Sequence, residues 1–196
     1  GIRRDYIEAK KNICRFQRKT DKLIVNADCQ TATQFRSVAR SCIMEFSSHR
    51  DVQVGAYCAD GSLWVRELSG NNTEICEIEN LSLRGRHNVA NALAALAAAV
   101  AIGTDGEQLT RSLGTFSGLE HRLEYVATVA EVEYYNDSLA TMPDATIAAL
   151  NSFDSPILLI AGGSSKGADF SDLAEVIVSE KVKGIVLLKS EEVYQC

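Results

Sequence analysis

In the last third of the chain, short apolar runs alternate with stretches of helical spacing, and no other feature of the sequence constrains the fold as tightly. Strand patterns over 123–129 and 132–135 are followed by a helical 143–152, a strand 157–160, a helical 169–179 and a strand 184–188. Strand, helix, strand, helix, strand implies a parallel sheet with right-handed crossovers. The expected fold class is therefore α/β, with a mostly parallel sheet in this part of the chain.

The earlier residues read differently. Tyr6, Ala9, Ile13 and Phe16 recur at helical spacing over 5–16, with Lys10 and Lys11 riding on that helix. A short buried strand at 23–25 ends in Asn26-Ala27-Asp28, 30–40 suits a helix, and 43–46 suits another strand. Alternation over 52–65 surrounds Asp60-Gly61, a dipeptide that supplies positive φ at a hairpin tip, and 73–78 completes a meander. From Asn88 to Ile102, eight residues are alanine, and Val89, Leu93, Leu96 and Val100 form one stripe, so this helix is expected to pack very closely. A second helix fits 107–116, after which Gly118-Leu119-Glu120 breaks the pattern. That break suggests two domains, 1–118 and 119–196, and no internal repeat is present.

A chain of 196 residues with 46% apolar side chains can bury a sizeable core. The net charge of -6 leaves no basic field for a phosphate backbone, which argues against a nucleic-acid partner. The longest apolar run, 92–102, is well short of the roughly 20 residues that span a bilayer, which argues against a membrane partner. Cys14, Cys29, Cys42, Cys58, Cys76 and Cys196 form no CxxC pair and read as reduced cytosolic thiols. The opening Gly1-Ile2-Arg3-Arg4-Asp5 has no initiator Met and no signal-peptide core, and 191–196 stops soon after a strand, so the sequence is expected to continue at both ends.

Four clusters can carry chemistry. In Gly85-Arg86-His87-Asn88-Val89-Ala90-Asn91-Ala92, two carboxamides three residues apart share a face of a helix's first turn. Each offers a donor and an acceptor, as the edge of an adenine ring requires, although Asn88 would also serve as a helix cap. His121-Arg122-Leu123-Glu124 lies at the proposed junction, where an Arg fork can neutralise charge on a transferring phosphoryl group or simply pair with Glu at the surface. Asp137, in Tyr134-Tyr135-Asn136-Asp137-Ser138, stands at the carboxyl end of a strand, where a carboxylate can accept hydrogen bonds from ribose hydroxyls; Asp137, Ser138 or Thr141 would equally cap the next helix. Finally, 157–161 runs into Gly162-Gly163-Ser164-Ser165-Lys166-Gly167, whose backbone N–H groups and Lys166 suit a carboxylate, or which is only a turn. GxxxxGK[ST] cannot be laid on it.

The order and separation of GRHNVANALAA, GLEHRLE, YNDSLATMPDAT and AGGSSKGADF resemble the Mur ligase family over most of the chain. The first two blocks are similar to those that Mur ligases share with folylpolyglutamate synthases. NDSxAT and GGxxKGADF resemble the branch that adds D-glutamate to UDP-N-acetylmuramoyl-L-alanine. The resemblance implies an ATP-dependent, Mg2+-requiring ligase of peptidoglycan-precursor synthesis, monomeric and cytoplasmic, that makes an acyl phosphate for the incoming amine to attack. It implies that 1–118 is the later half of a central ATPase domain and 119–196 a truncated, Rossmann-like C-terminal domain. By position, Asn88 and Asn91 would face the nucleotide, Arg122 the phosphates and Asp137 the ribose, while Thr141 and Lys166 would meet the D-glutamate carboxylates. Lys10 falls where the family has a lysine carbamylated by CO2, a ligand for Mg2+, so that Arg122 and Lys10 are the expected catalytic residues.

Two departures from the family pattern stand out. Leu139 replaces the lysine of an NDSKAT block, and no glycine-rich ATP-binding loop is present. Without that loop the β- and γ-phosphates lack a cradle, and the chain alone is expected not to hydrolyse ATP. The alternatives are a sibling specificity, on the folylpolyglutamate or meso-diaminopimelate branch, and a non-catalytic remnant that binds nucleotide weakly.

Overall fold

The computed structural model describes residues 2–164, 167–179 and 181–188. Two compact units divide the chain, residues 1–83 with 87–117 and residues 84–86 with 118–196.

The first unit begins with helices α1 (Ile2–Lys10) and α2 (Asn12–Arg15), then β1 (Lys22–Asn26), α3 (Gln30–Thr33) and β2 (Cys42–Ser47). It continues through β3 (Gly55–Ala59), β4 (Ser62–Arg66), β5 (Asn72–Glu77), α4 (Arg86–Ala101) and α5 (Gly106–Thr115). The five strands form one sheet in chain order, parallel from β1 to β3 and antiparallel from β3 to β5. Asp60 and Gly61 at φ 49° and 80° make the left-handed tip that joins β3 to β4, as the dipeptide predicts. The sheet changes direction at Gly55, which has φ +127° and whose missing Cβ would fall inside the backbone of Glu45 on the adjacent strand. No L side chain fits there.

Two features depart from the periodicity. The helix expected over 5–16 is divided at Lys11 into α1 and α2, and Cys14 of α2 is buried against Leu23 and Val25 of β1. The helix expected over 30–40 shrinks to α3 and a 3-10 turn, Gln34–Ser37. There the Thr33 and Ser37 hydroxyls donate to the carbonyls of Gln30 and Gln34, the local side-chain bonding that competes with a regular helix.

The main core lies between the sheet and α4. Ala56, Leu63, Val65 and Ile75 of the sheet meet Ala92, Leu93, Leu96 and Ala97 of α4 and Leu109 of α5. The alanines let the helix approach the strands closely, and Leu93, at 0% exposed, contributes about 1.5–3 kcal/mol by its burial. α5 is fixed at its start by Asp105, whose side chain accepts from the Gln108 N–H, and on its flank by the Thr110 hydroxyl, which donates to the Ile75 carbonyl.

The second unit contains β6 (Glu124–Val129), β7 (Val132–Asn136), α6 (Pro143–Leu150), β8 (Ile157–Ala161), α7 (Ser171–Ile177) and β9 (Val182–Leu187). The α/β class holds, but the sheet is in two pieces among the described residues: an antiparallel β6–β7 hairpin and a parallel β8–β9 pair. Ala130 and Glu131, both at positive φ, form the tight turn that commits β7 to β6. Tyr135 is the centre of the hairpin's aromatic face, edge-on to Tyr125 and to Phe153, with Arg84 stacked over both Tyr135 and Phe153. Among the described residues few side chains here are fully covered: Ala149, Leu150 and Leu173 are the buried apolar ones, while Leu158, Ile160, Val186 and Leu187 are exposed.

Candidate functional site

Asn88 and Asn91 lie on α4 in the first unit. The helix starts at Arg86, so Asn88 is inside its first turn and is not the cap. Asn88 is buried at 6% exposed, and its Oδ1 accepts a 3.2 Å hydrogen bond from Nδ2 of the exposed Asn91. The two carboxamides thus form a pair, the buried one tied to an exposed one that has further donor and acceptor capacity. Lys10, at the end of α1, is exposed, with Nζ 5.4 Å from the centre of the Tyr6 ring. Its neighbour Lys11 is the one engaged in an ion pair, with Glu8 at 2.7 Å. Among the described residues, no group of three or more His, Cys, Asp or Glu side chains could hold a metal ion.

Arg122, Asp137 and Thr141 belong to the second unit, and two of them are brought together. Arg122 sits in a tight turn between His121 and Leu123, both in the left-handed region at φ 64° and 47°. The Leu123 N–H donates to Asp137 Oδ1 at 3.0 Å, and the Leu139 N–H donates to the His121 carbonyl at 3.0 Å. Asp137 therefore fastens the turn that carries Arg122, and its second carboxylate oxygen accepts no hydrogen bond among the described residues. The expected surface pair between Arg122 and Glu124 does not form: Glu124 Oε2 accepts from the His121 backbone N–H at 2.7 Å and lies 3.6 Å from His121 Nδ1. Arg122 is exposed and makes no ion pair among the described residues.

The capping alternatives for Asp137, Ser138 and Thr141 also fail, since α6 is capped by Met142 without any side-chain hydrogen bond and has Pro143 in its first turn. Thr141 is exposed two residues before Pro143, and its backbone N–H donates to the Leu139 carbonyl at 2.8 Å. The Leu139 side chain is 53% exposed. Lys166 lies outside the described residues, as does Cys196. Just before Lys166, Gly162 has no room for a Cβ beside Leu188, and Gly163 adopts φ +123°, so both glycines have backbone reasons of their own.

A further knot closes the carboxyl ends of β1 and β2, and the sequence pattern did not mark it beyond the end of a strand. Asp28 accepts from the Ser47 hydroxyl at 2.6 Å, the Ser48 N–H at 2.7 Å and the Ser48 hydroxyl at 3.0 Å, and stands 3.2 Å from His49 Nδ1. Burial raises the Asp28 carboxyl, but the hydrogen bonds from Ser47, Ser48 and His49 outweigh it and hold the group at about 2. Only the Asp at a strand end was visible in the sequence; its partners lie about 20 residues further on, a distance that no local pattern spans. Two open depressions, of about 210 and 300 Å³, lie elsewhere in the first unit, one beside the Arg36–Glu45 ion pair and one beside Met44, Val100 and Asp105. No helix among the described residues is long and apolar enough to cross a membrane.

Residues 1–99 match the Mur ligase middle domain. The chain is 40% identical over 188 residues to the UDP-N-acetylmuramoylalanine--D-glutamate ligase of Pelotomaculum thermopropionicum, covering 96% of this chain and 41% of that one. It is 36% identical over 184 residues to the enzyme of the same name from Clostridium tetani, covering 94% and 39%. In structure it is similar to MurF from Acinetobacter baumannii, with a TM-score of 0.73 at 22% identity over 94% of this chain and 42% of that one, a likeness of fold. The chain thus spans about two fifths of the length of the curated relatives it matches.

Proposed function

Because this chain belongs to the Mur ligase family, we propose that it is part of an ATP-dependent ligase that joins D-glutamate to UDP-N-acetylmuramoyl-L-alanine through an acyl phosphate. The observation that carries this reading is the 40% identity, over 96% of the chain, to a ligase named for D-glutamate. The matched stretch, 96% of the chain, includes residues of both units.

Each unit by itself offers side chains that suit part of a nucleotide. The Asn91 carboxamide, held by buried Asn88, presents a donor and an acceptor to an adenine edge. One Asp137 oxygen is engaged by the Leu123 N–H, and the other can accept from a ribose hydroxyl. Arg122, without an ion-pair partner among the described residues, can spread its fork over phosphate oxygens, which would favour the charge that develops as a phosphoryl group moves. Thr141, exposed on the same segment as Asp137, and Lys166 would take the carboxylates of the incoming amino acid. ATP would supply the phosphoryl group. Mg2+ would screen the charge of the phosphates, with Lys10, if carbamylated, as one of its ligands. Residues 1–118 would then be the later half of the ATPase domain and residues 119–196 a part of the amino-acid domain.

The complete ligase that carries this segment, assayed for amino-acid-dependent phosphate release with UDP-N-acetylmuramoyl-L-alanine, tests the proposal. D-glutamate should be the accepted amino acid, and this chain alone should neither bind ATP tightly nor hydrolyse it. Rejection of D-glutamate in favour of meso-diaminopimelate or glutamyl-folate chemistry would defeat the assignment.

A further inference from the structure

Two left-handed, non-glycine residues flanking one arginine are a strained arrangement. At φ 64° and 47°, His121 and Leu123 lie in a region unfavourable for residues with a Cβ, and such strain persists only where neighbours over-determine it. The neighbours here are specific. The His121 N–H donates to Glu124 Oε2, the Leu123 N–H donates to Asp137 Oδ1, and the His121 carbonyl accepts from the Leu139 N–H. A fourth bond is made by a ring: Asn136 Nδ2 lies 2.8 Å from His121 Nδ1. The orientation of that amide is fixed independently, because Asn136 Oδ1 already accepts from the Ser138 N–H at 3.1 Å, which turns Nδ2 toward the imidazole. An amide N–H can only donate, so the ring nitrogen facing it is the acceptor and the ring proton sits on Nε2.

From this geometry we propose that His121 is a positioning residue for Arg122, its imidazole accepting from Asn136 so that the strained turn is locked onto the strand end that carries Asp137. The ring is 56% exposed on its side chain, so it adds little burial, and the cost of its removal falls on the placement of Arg122 rather than on the core. Glu124 completes the lock by accepting from the His121 N–H and lying 3.4 Å from the same Asn136 amide. The residue type at 121 must satisfy two demands together, tolerance of positive φ and a side-chain acceptor. This inference rests on the ligase reading for its kinetic consequence, though not for its geometry.

Two substitutions in the complete ligase separate the demands. His121→Gly keeps the left-handed backbone and deletes the acceptor, and His121→Asn keeps both. Glycine should lower kcat about 10-fold or more, because a misplacement near 1 Å can cost about 100-fold, while the KM for D-glutamate and the melting temperature stay at wild-type values. Asparagine should recover kcat to within about 3-fold of wild type. Wild-type kcat in the glycine variant, or no recovery in the asparagine variant, would overturn the proposal. If the wild-type enzyme shows no D-glutamate-dependent turnover, the ligase reading fails, and the lock is then judged by nitrogen NMR and amide exchange. A neutral ring with Nδ1 unprotonated and faster exchange of the Leu123 and Leu139 amides in His121→Gly would sustain it; a protonated Nδ1 or unchanged exchange would not.

Discussion

The two units hold their candidate residues by different means. In the first, Asn88 is fixed because α4 is fixed, pressed by Ala92, Leu93, Leu96 and Ala97 against the strands of a closed core. In the second, Arg122 and Asp137 are fixed by hydrogen bonds between two short segments, in a unit whose buried apolar residues, among those described, are Ala149, Leu150 and Leu173. Burial is non-directional and tolerant of small shifts, whereas a hydrogen bond is lost with a modest change of angle. The Asn88–Asn91 pair should therefore survive perturbations that disturb the turn that carries Arg122.

Three measurements break or sharpen this contrast. The largest effect is expected at Leu93→Ala, which opens a cavity in the core of the first unit; unfolding in urea should show a loss of about 2–5 kcal/mol. A loss below about 1 kcal/mol would mean that α4 is not held by packing. Next in size is acid. The Asp28 carboxyl is lowered from 3.8 to about 2, so its stabilisation is fully present above pH 3.8 and disappears as pH falls through about 2. About 2 kcal/mol of stability should be lost across that window, and Asp28→Asn should flatten the dependence; an unaltered acid limb in the variant would show that the knot at β1 and β2 contributes nothing. The smallest effect belongs to Leu158→Lys on β8. This side chain is 73% exposed, and the change should move stability by no more than about 0.5 kcal/mol. A cost equal to that of Leu93→Ala would erase the distinction between the units.

Local patterns carried the elements whose causes are local. The Asp60-Gly61 hairpin, the alanine-rich α4 and the Pro143 start of α6 were all legible, because turn chemistry, helical stripe and first-turn proline act within a few residues. Partners distant in sequence were not. Glu124 reads as the natural mate of Arg122, yet the turn angles of His121 and Leu123 direct it to the His121 N–H instead. In the same way Asp137, Ser138 and Thr141 all have the residue types of a helix cap, but the Leu123 N–H claims Asp137 and α6 starts uncapped. The single parallel sheet expected from 132 to 188 was read from alternation, which fixes the order of elements and says nothing of which strand edges meet.

Gly55 sets a rule for how this molecule can vary. It sits where the sheet passes from parallel to antiparallel, with the Glu45 backbone filling the space that any Cβ would need. The segment from Ser48 to Val54 is held along its length, by Ser48 and His49 at Asp28, by the Arg66 guanidinium on the Val52 carbonyl and by burial of the Val52 side chain. It must also come back to the sheet on a residue with nothing to place beside Glu45, so insertions on this side of the protein are permitted only in a register that returns a bare backbone to that one step.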